Sequence, residues 1–172
     1  MEEKEYFFYL PYWEFNLLRH NLDVMHIEKN VCDNIISTLL NLDGKSKDNY
    51  KARLDLVELG LRQELYPVVG TDSVVHLPQA CYTMTSKEKY LFLNVLKNLK
   101  VPDGYASNIS RCVNLKERKL SNLKSHDAHI LMQDILPIAL RASIPSHMVS
   151  IISELSSFFK LLCSKTLDLD EL

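Results

Sequence analysis

Asp23-Val24-Met25-His26 places a carboxylate and an imidazole three residues apart. Such a pair can bind a metal or serve a phosphate or base. A zinc site needs three or four ligands, and Cys32, six residues past His26, falls on another part of the helix expected there. The plainer reading is an Asp N-cap with a nearby His. His26-Ile27-Glu28-Lys29-Asn30 begins like a zincin helix but has Asn where the second His belongs. That site requires both imidazoles on one face, at i and i+4, so the match fails. Ser125-His126-Asp127-Ala128-His129 is a third candidate polar site, with His126 and His129 on one helical face and Asp127 between them. A capped helix start with polar first-turn residues accounts for it without a metal. The sequence has no Gly-rich phosphate loop, no Gly-x-Ser-x-Gly elbow and no cysteine set with a recognisable base. No catalytic residue, metal site or cofactor is assigned from these motifs.

Helices must position these groups. The spacing of Ile27, Val31, Ile35, Leu39 and Leu42 predicts a helix over 26–42, broken at Asp43-Gly44. A second is expected over 47–65, with Leu54, Val57, Leu61 and Leu65 inward and Pro67 closing it. Residues 68–82 read as a linker with a short strand near Val74-Val75. Thr85-Ser86-Lys87-Glu88 is a capping box that opens a helix to about Leu99. Val101-Pro102-Asp103-Gly104 is turn chemistry. A short helix is expected over 113–120. Ser125 can cap the next, from His126 to about Arg141, kinked by Pro137, and Pro145 suits the first turn of the last helix, to about Lys165. Near the N-terminus, weak alternation over Leu17–Val24 suggests one strand.

Composition sets the class. Of 172 residues, 47% are hydrophobic and 24% charged, a globular balance. Only 4 are glycine, which argues against a turn-rich all-β protein. No apolar run reaches membrane-spanning length, and the acidic start argues against a signal peptide. An intracellular protein, nuclear or cytoplasmic, with no membrane partner is expected. The four cysteines are widely spaced beside apolar residues, which suggests buried free thiols. Net charge is −2, but residues 86–124 alone carry nine Lys/Arg against three Asp/Glu. Within that stretch Arg111, Lys116, Arg118, Lys119 and Lys124 are candidates for weak, non-specific DNA binding. The competing reading is a solvated helical surface. Tyr6 to Phe15 holds seven aromatics in ten residues. Such a segment needs a large apolar partner, and self-association through it is expected.

Several longer words have a familiar order. They are Leu10-Pro11-Tyr12-Trp13, Arg19 through Cys32, Asp43 through Asp48, Lys51 through Leu56, Leu77 through Thr83, Leu123 through Gln133, and Cys163-Ser164-Lys165. The chain from about Leu10 to Leu172 resembles the transposases of plant CACTA (En/Spm-type) DNA transposons. The resemblance implies an RNase H-like core with an acidic triad and divalent metal, interrupted by a helical insertion. Asp23 and His26 match the family's D-x-x-H motif. The first two acids of the triad are then expected upstream of Met1 and the third downstream of Leu172. Ser121-Asn122 stand where the resemblance leads one to expect glycine.

The fold class implied is mainly α: a helical, bundle-like insertion region with a short strand remnant of an RNase H-like core near the N-terminus. Residues 1–26 would be that remnant and 27–112 the helical insertion, with a linker near 67–84. Residues 113–172 would be a truncated helical domain that follows the catalytic region. The function expected is a transposase-derived, catalytically incomplete fragment with weak DNA or protein interaction. The alternative is an independent helical adaptor without a nucleic-acid role.

Overall fold

The computed structural model describes Pro11, Phe15 and residues 23–70, 73–100 and 108–164. The aromatic segment over 6–15 (Pro11 and Phe15 apart), residues 17–22 of the strand expected over 17–24, the turn over 101–104 and residues 165–172 lie outside the described residues; the end of that expected strand, Asp23 and Val24, is instead the cap and first residue of a helix.

The chain is mainly helical. Helix α1 spans Val24–Leu39, and the Asp23 side chain caps it: Oδ1 accepts the His26 backbone N–H at 3.1 Å. This satisfies one of the amides a helix start leaves open. The inward stripe is Glu28, Cys32, Ile36 and Leu39. The expected stripe began one residue earlier, but Ile27 is 40% exposed, and Val31 and Ile35 flank the core half-buried. The helix is turned so that a carboxyl group enters the interior.

Helix α2 (Tyr50–Leu59) is shorter than expected. Gly60 closes it at φ 66, its N–H returning to Leu56 and Val57 carbonyls, a left-handed cap that glycine adopts at little cost. A 3₁₀ turn follows at Gln63–Leu65. Of the four residues expected inward only Leu65 is buried; Leu54, Val57 and Leu61 are exposed. The residue α2 buries is Arg53. Its Nε and Nη2 both donate to Asp48, the latter at 2.7 Å, while Nη1 donates to the Leu65 carbonyl at 2.8 Å and Nη2 to the Pro78 carbonyl at 3.2 Å. One guanidinium thus ties α2 to the two segments after it. Those segments carry a two-stranded antiparallel ladder, β1 (Val68–Val69) with β2 (Val75–His76), in the register Val68 to His76.

Helix α3 (Ser86–Asn98) opens with the expected capping box: Glu88 Oε2 accepts the Thr85 N–H at 2.7 Å, and Thr85 Oγ1 accepts the Glu88 N–H at 3.4 Å. A 3₁₀ turn, Ile109–Cys112, leads to β3 (Val113–Asn114), which pairs antiparallel with β4 (Lys119–Leu120). The helix expected over 113–120 is therefore a hairpin. Asn114 Oδ1 accepts the Glu117 N–H at 3.0 Å and Arg118 takes φ 50, the side-chain turn and left-handed step that asparagine and tight loops favour. The hairpin buries Val113 and Leu120 as cross-strand partners. Asn122 has φ 60, a conformation glycine takes most easily and asparagine tolerates.

Helix α4 (Ser125–Ile130) runs into a π turn at Leu131–Ile135, then α5 (Leu136–Ala139). Lys124, one residue before Ser125, holds the N-cap position, and its N–H donates to Asp127 at 3.1 Å. Pro137, which has no N–H to continue the ladder, is the second residue after the π turn. After Pro145, α6 runs over Ser146–Leu162. Ser156 Oγ donates to the Met132 carbonyl at 2.7 Å and Gln133 Nε2 to the Phe159 carbonyl at 3.2 Å, locking α6 to the π turn. Cys32, Leu40, Phe92, Leu93, Leu96, Leu131, Met132, Leu136 and Leu140 share one core, drawn from both sides of position 112. Among the described residues no helix is long and apolar enough to cross a membrane.

Candidate functional site

A lined hollow lies between α1, the loop after it and the segment leaving β4. It is a cleft of about 520 Å³. Lys29, Lys45 and Lys47 line it, with the amides of Asn30, Asn34 and Asn122. The loop is pinned to α1 by two hydrogen bonds: Ser37 Oγ donates to the Lys45 carbonyl at 3.2 Å, and the Lys47 N–H donates to Thr38 Oγ1 at 3.1 Å. Lys29 pairs with Asp33 at 2.5 Å. Among the described residues, Lys45 and Lys47 are in no ion pair. The hairpin adds cations nearby. Burial, and then the Arg118 charge, pull the Lys89 ammonium below its usual range, with Asp43 of the α1–α2 loop opposing them.

The five basic residues singled out in the sequence do not form one free surface. Arg111 lies 3.5 Å from Asp127, which is buried. Lys119 is paired with Glu117, and that ammonium holds the Glu117 carboxyl below the ordinary range. Lys116 and Arg118 occupy the exposed hairpin loop and are in no ion pair among the described residues; the exposed Lys124 stands ahead of α4. Lys116 and Lys119 are not successive positions on a helical face, because no helix forms there. Lys29, Lys45 and Lys47 lie in the part of the sequence that is acidic on balance, so a charge count along the chain does not single them out.

Asp23 and His26 are both exposed, and Asp23 is engaged as the α1 cap. The polar cluster at α4 divides. His126 and His129 do share a face, their rings stacked at 6.4 Å. Asp127 turns away to Arg111 and the Lys124 amide. His129 instead meets Glu28: Nδ1 lies 2.6 Å from Oε2, across 101 residues of sequence. Glu28 is fully buried, and its Oε1 has no hydrogen-bond partner among the described residues. Cys163, at the end of α6, completes the group; one ligand atom from each of Glu28, His129 and Cys163 falls within 4.8 Å of the others. Gln133, inside the π turn, places Nε2 3.2 Å from His129 Nδ1. Burial first, then the Glu28 carboxyl, push the Cys163 thiol up. Glu28 stood in view within the failed zincin word, but nothing local marks it as buried, and Cys163 lies in another helix.

The cysteines are not uniformly buried. Cys32 and Cys112 are, Cys163 is half-buried and Cys81 is exposed. All four are free. Burial, with Asp33 and Glu28 nearby, pushes the Cys32 thiol up to about 12, which makes it inert.

No protein-family model, no curated protein and no solved structure matches this chain.

Proposed function

We propose that this chain is a transposase-derived segment without a complete catalytic set, which holds nucleic acid weakly and without sequence preference through its lysine-lined cleft. The observation that carries the reading is the cleft itself: Lys45 and Lys47 on a pinned loop, Lys29 opposite, and Lys116 and Arg118 on the neighbouring hairpin. Lys45, Lys47, Lys116 and Arg118, which are in no ion pair among the described residues, attract phosphates and release condensed counterions, whereas Asp33 offsets Lys29. The asparagine amides supply hydrogen-bond donors for phosphate oxygens. Backbone contact is the mode proposed. The word-level resemblance to CACTA transposases gives this binding its context, and Asp23 and His26 would be family residues beside it.

Fluorescence anisotropy with a labelled duplex at low salt tests the reading. The parent is expected to bind with Kd on the order of 10⁻⁴ to 10⁻⁶ M near physiological salt. Lys45→Glu/Lys47→Glu should weaken binding at least about tenfold. Lys116→Glu/Lys119→Glu should do less, since Glu117 already offsets Lys119. Equal affinity in the cleft variant and the parent would contradict the proposal.

On the same reading the chain does not cut or join DNA with Mg²⁺ or Mn²⁺, because two-metal phosphoryl chemistry needs a converging set of acids. Metal-dependent nicking that survives purification and vanishes in Asp23→Ala would overturn that statement.

A second reading, the helical adaptor, has its own observation. Ile151, Phe158 and Leu162 of α6 are exposed at helical spacing, around the half-buried Leu155. An apolar hollow of about 350 Å³ lies beside them, lined by Ile35, Tyr82 and Met148. Absence of duplex binding at any salt would favour this reading.

A further inference from the structure

We infer that Glu28, His129 and Cys163 form a zinc-class metal site that staples α1, α4 and the end of α6 together. Their ligand atoms lie within 4.8 Å of one another. Glu28 supplies the second, independent observation: it is fully buried, yet Oε1 faces the interior with no hydrogen-bond partner among the described residues. A buried polar atom left without a partner costs free energy, and a bound cation removes that cost.

The donor set selects the metal. Sulfur and imidazole with one carboxylate suit zinc and its spectroscopic substitute cobalt, whereas magnesium and calcium favour oxygen alone. Three protein ligands with a half-exposed imidazole and thiol leave a coordination position for solvent and a path of entry. The ion would take the place of the contact between His129 Nδ1 and the Glu28 carboxylate, with Oε1 among its ligand atoms, and displace the proton of the Cys163 thiol. The π turn that carries Gln133 follows directly on the helix of His129, and such turns are frequent at functional sites. The site is separate from the lysine cleft and stands or falls independently of nucleic-acid binding.

The test is a titration of the tag-free, reduced full chain with Co²⁺, followed by displacement with Zn²⁺. One equivalent of Co²⁺ should give a thiolate-to-cobalt charge-transfer band that Zn²⁺ removes. Cys163→Ser should abolish the band, and Glu28→Gln should weaken Co²⁺ binding by at least about 100-fold, more than the outer-residue effect on such sites. Cys81→Ser should leave both unchanged. Far-ultraviolet circular dichroism verifies that each variant is folded, and Zn²⁺ should raise the Tm of the parent but not of Cys163→Ser. No charge-transfer band in the folded parent, or a band that persists in Cys163→Ser, would overturn the site.

Discussion

Arg53→Met should lower stability by about 3–5 kcal/mol, the range for removing one partner of a buried ion pair. For a chain of this size that is a fall in Tm of roughly 10 °C. The guanidinium is 2% exposed and donates to Asp48, to the Leu65 carbonyl and to the Pro78 carbonyl. Methionine fills most of the volume but strands the carboxylate and both carbonyls. Arg53→Lys should also be costly, since an ammonium lacks the planar fork that reaches three acceptors. The pair also makes stability depend on acid. The Arg53 guanidinium holds the Asp48 carboxyl below its ordinary value of 3.8, burial opposing, and the Tyr82 hydroxyl adds to the effect. A carboxyl lowered on folding stabilises fully above the unfolded value, and the contribution is lost as pH falls through the depressed one. Urea unfolding between neutral pH and about pH 3 should therefore show a steeper acid loss in the parent than in Asp48→Asn. Arg53→Met within 1 kcal/mol of the parent would show that this ion pair is not what joins α2 to residues 65–78.

The second large effect concerns Glu28 in the metal-free chain. His129→Ala removes the group that the buried carboxyl meets at 2.6 Å. The expected cost is about 3 kcal/mol, at the low end for a buried pair because the imidazole is 26% exposed. Glu28→Gln, which keeps shape and one hydrogen bond, should cost less, about 1–3 kcal/mol. Replacing both partners, as Glu28→Leu/His129→Leu, should be near neutral or stabilising, because no charge then remains to be desolvated. Urea denaturation of chelator-treated protein measures all three. Single and double variants that fall by equal amounts would show that the cost comes from lost packing rather than from an orphaned carboxyl.

Local signals in the sequence survive in the structure where the chemistry is local. Thr85 and Glu88 close their capping box over three residues, and Asp23 caps α1 as its type and position suggest. The mainly helical class follows from the same periodicities. Signals fail where a distant partner decides. Glu28 is buried because His129 and Cys163 arrive from other helices, and Arg53 because acceptors converge on it from Asp48, Leu65 and Pro78. An apolar stripe cannot report such burial: in α1 the expected Leu39 is buried but Ile27 is exposed and Val31 and Ile35 are half-buried, and in α2 the expected Leu54, Val57 and Leu61 are exposed. The hairpin at 113–120 was hidden for another reason. Its strands have two residues each and show no period, and the useful signal was Asn114 before a polar loop. The lysine cleft gathers Lys29, Lys45 and Lys47 from a helix and a loop, whereas a charge count along the chain points to the hairpin alone.

The central claim is that this cleft holds nucleic-acid phosphates, and the dependence of duplex affinity on salt tests it most directly. With about three to five phosphate contacts, log K should fall linearly with log salt at a slope of about −3 to −4.5. Lys45→Glu/Lys47→Glu should flatten that slope by about two contacts, roughly −0.9 each, and scrambled duplexes should bind as the first does. Duplex binding that is absent at low salt, or whose slope is the same in parent and cleft variant, would contradict the account.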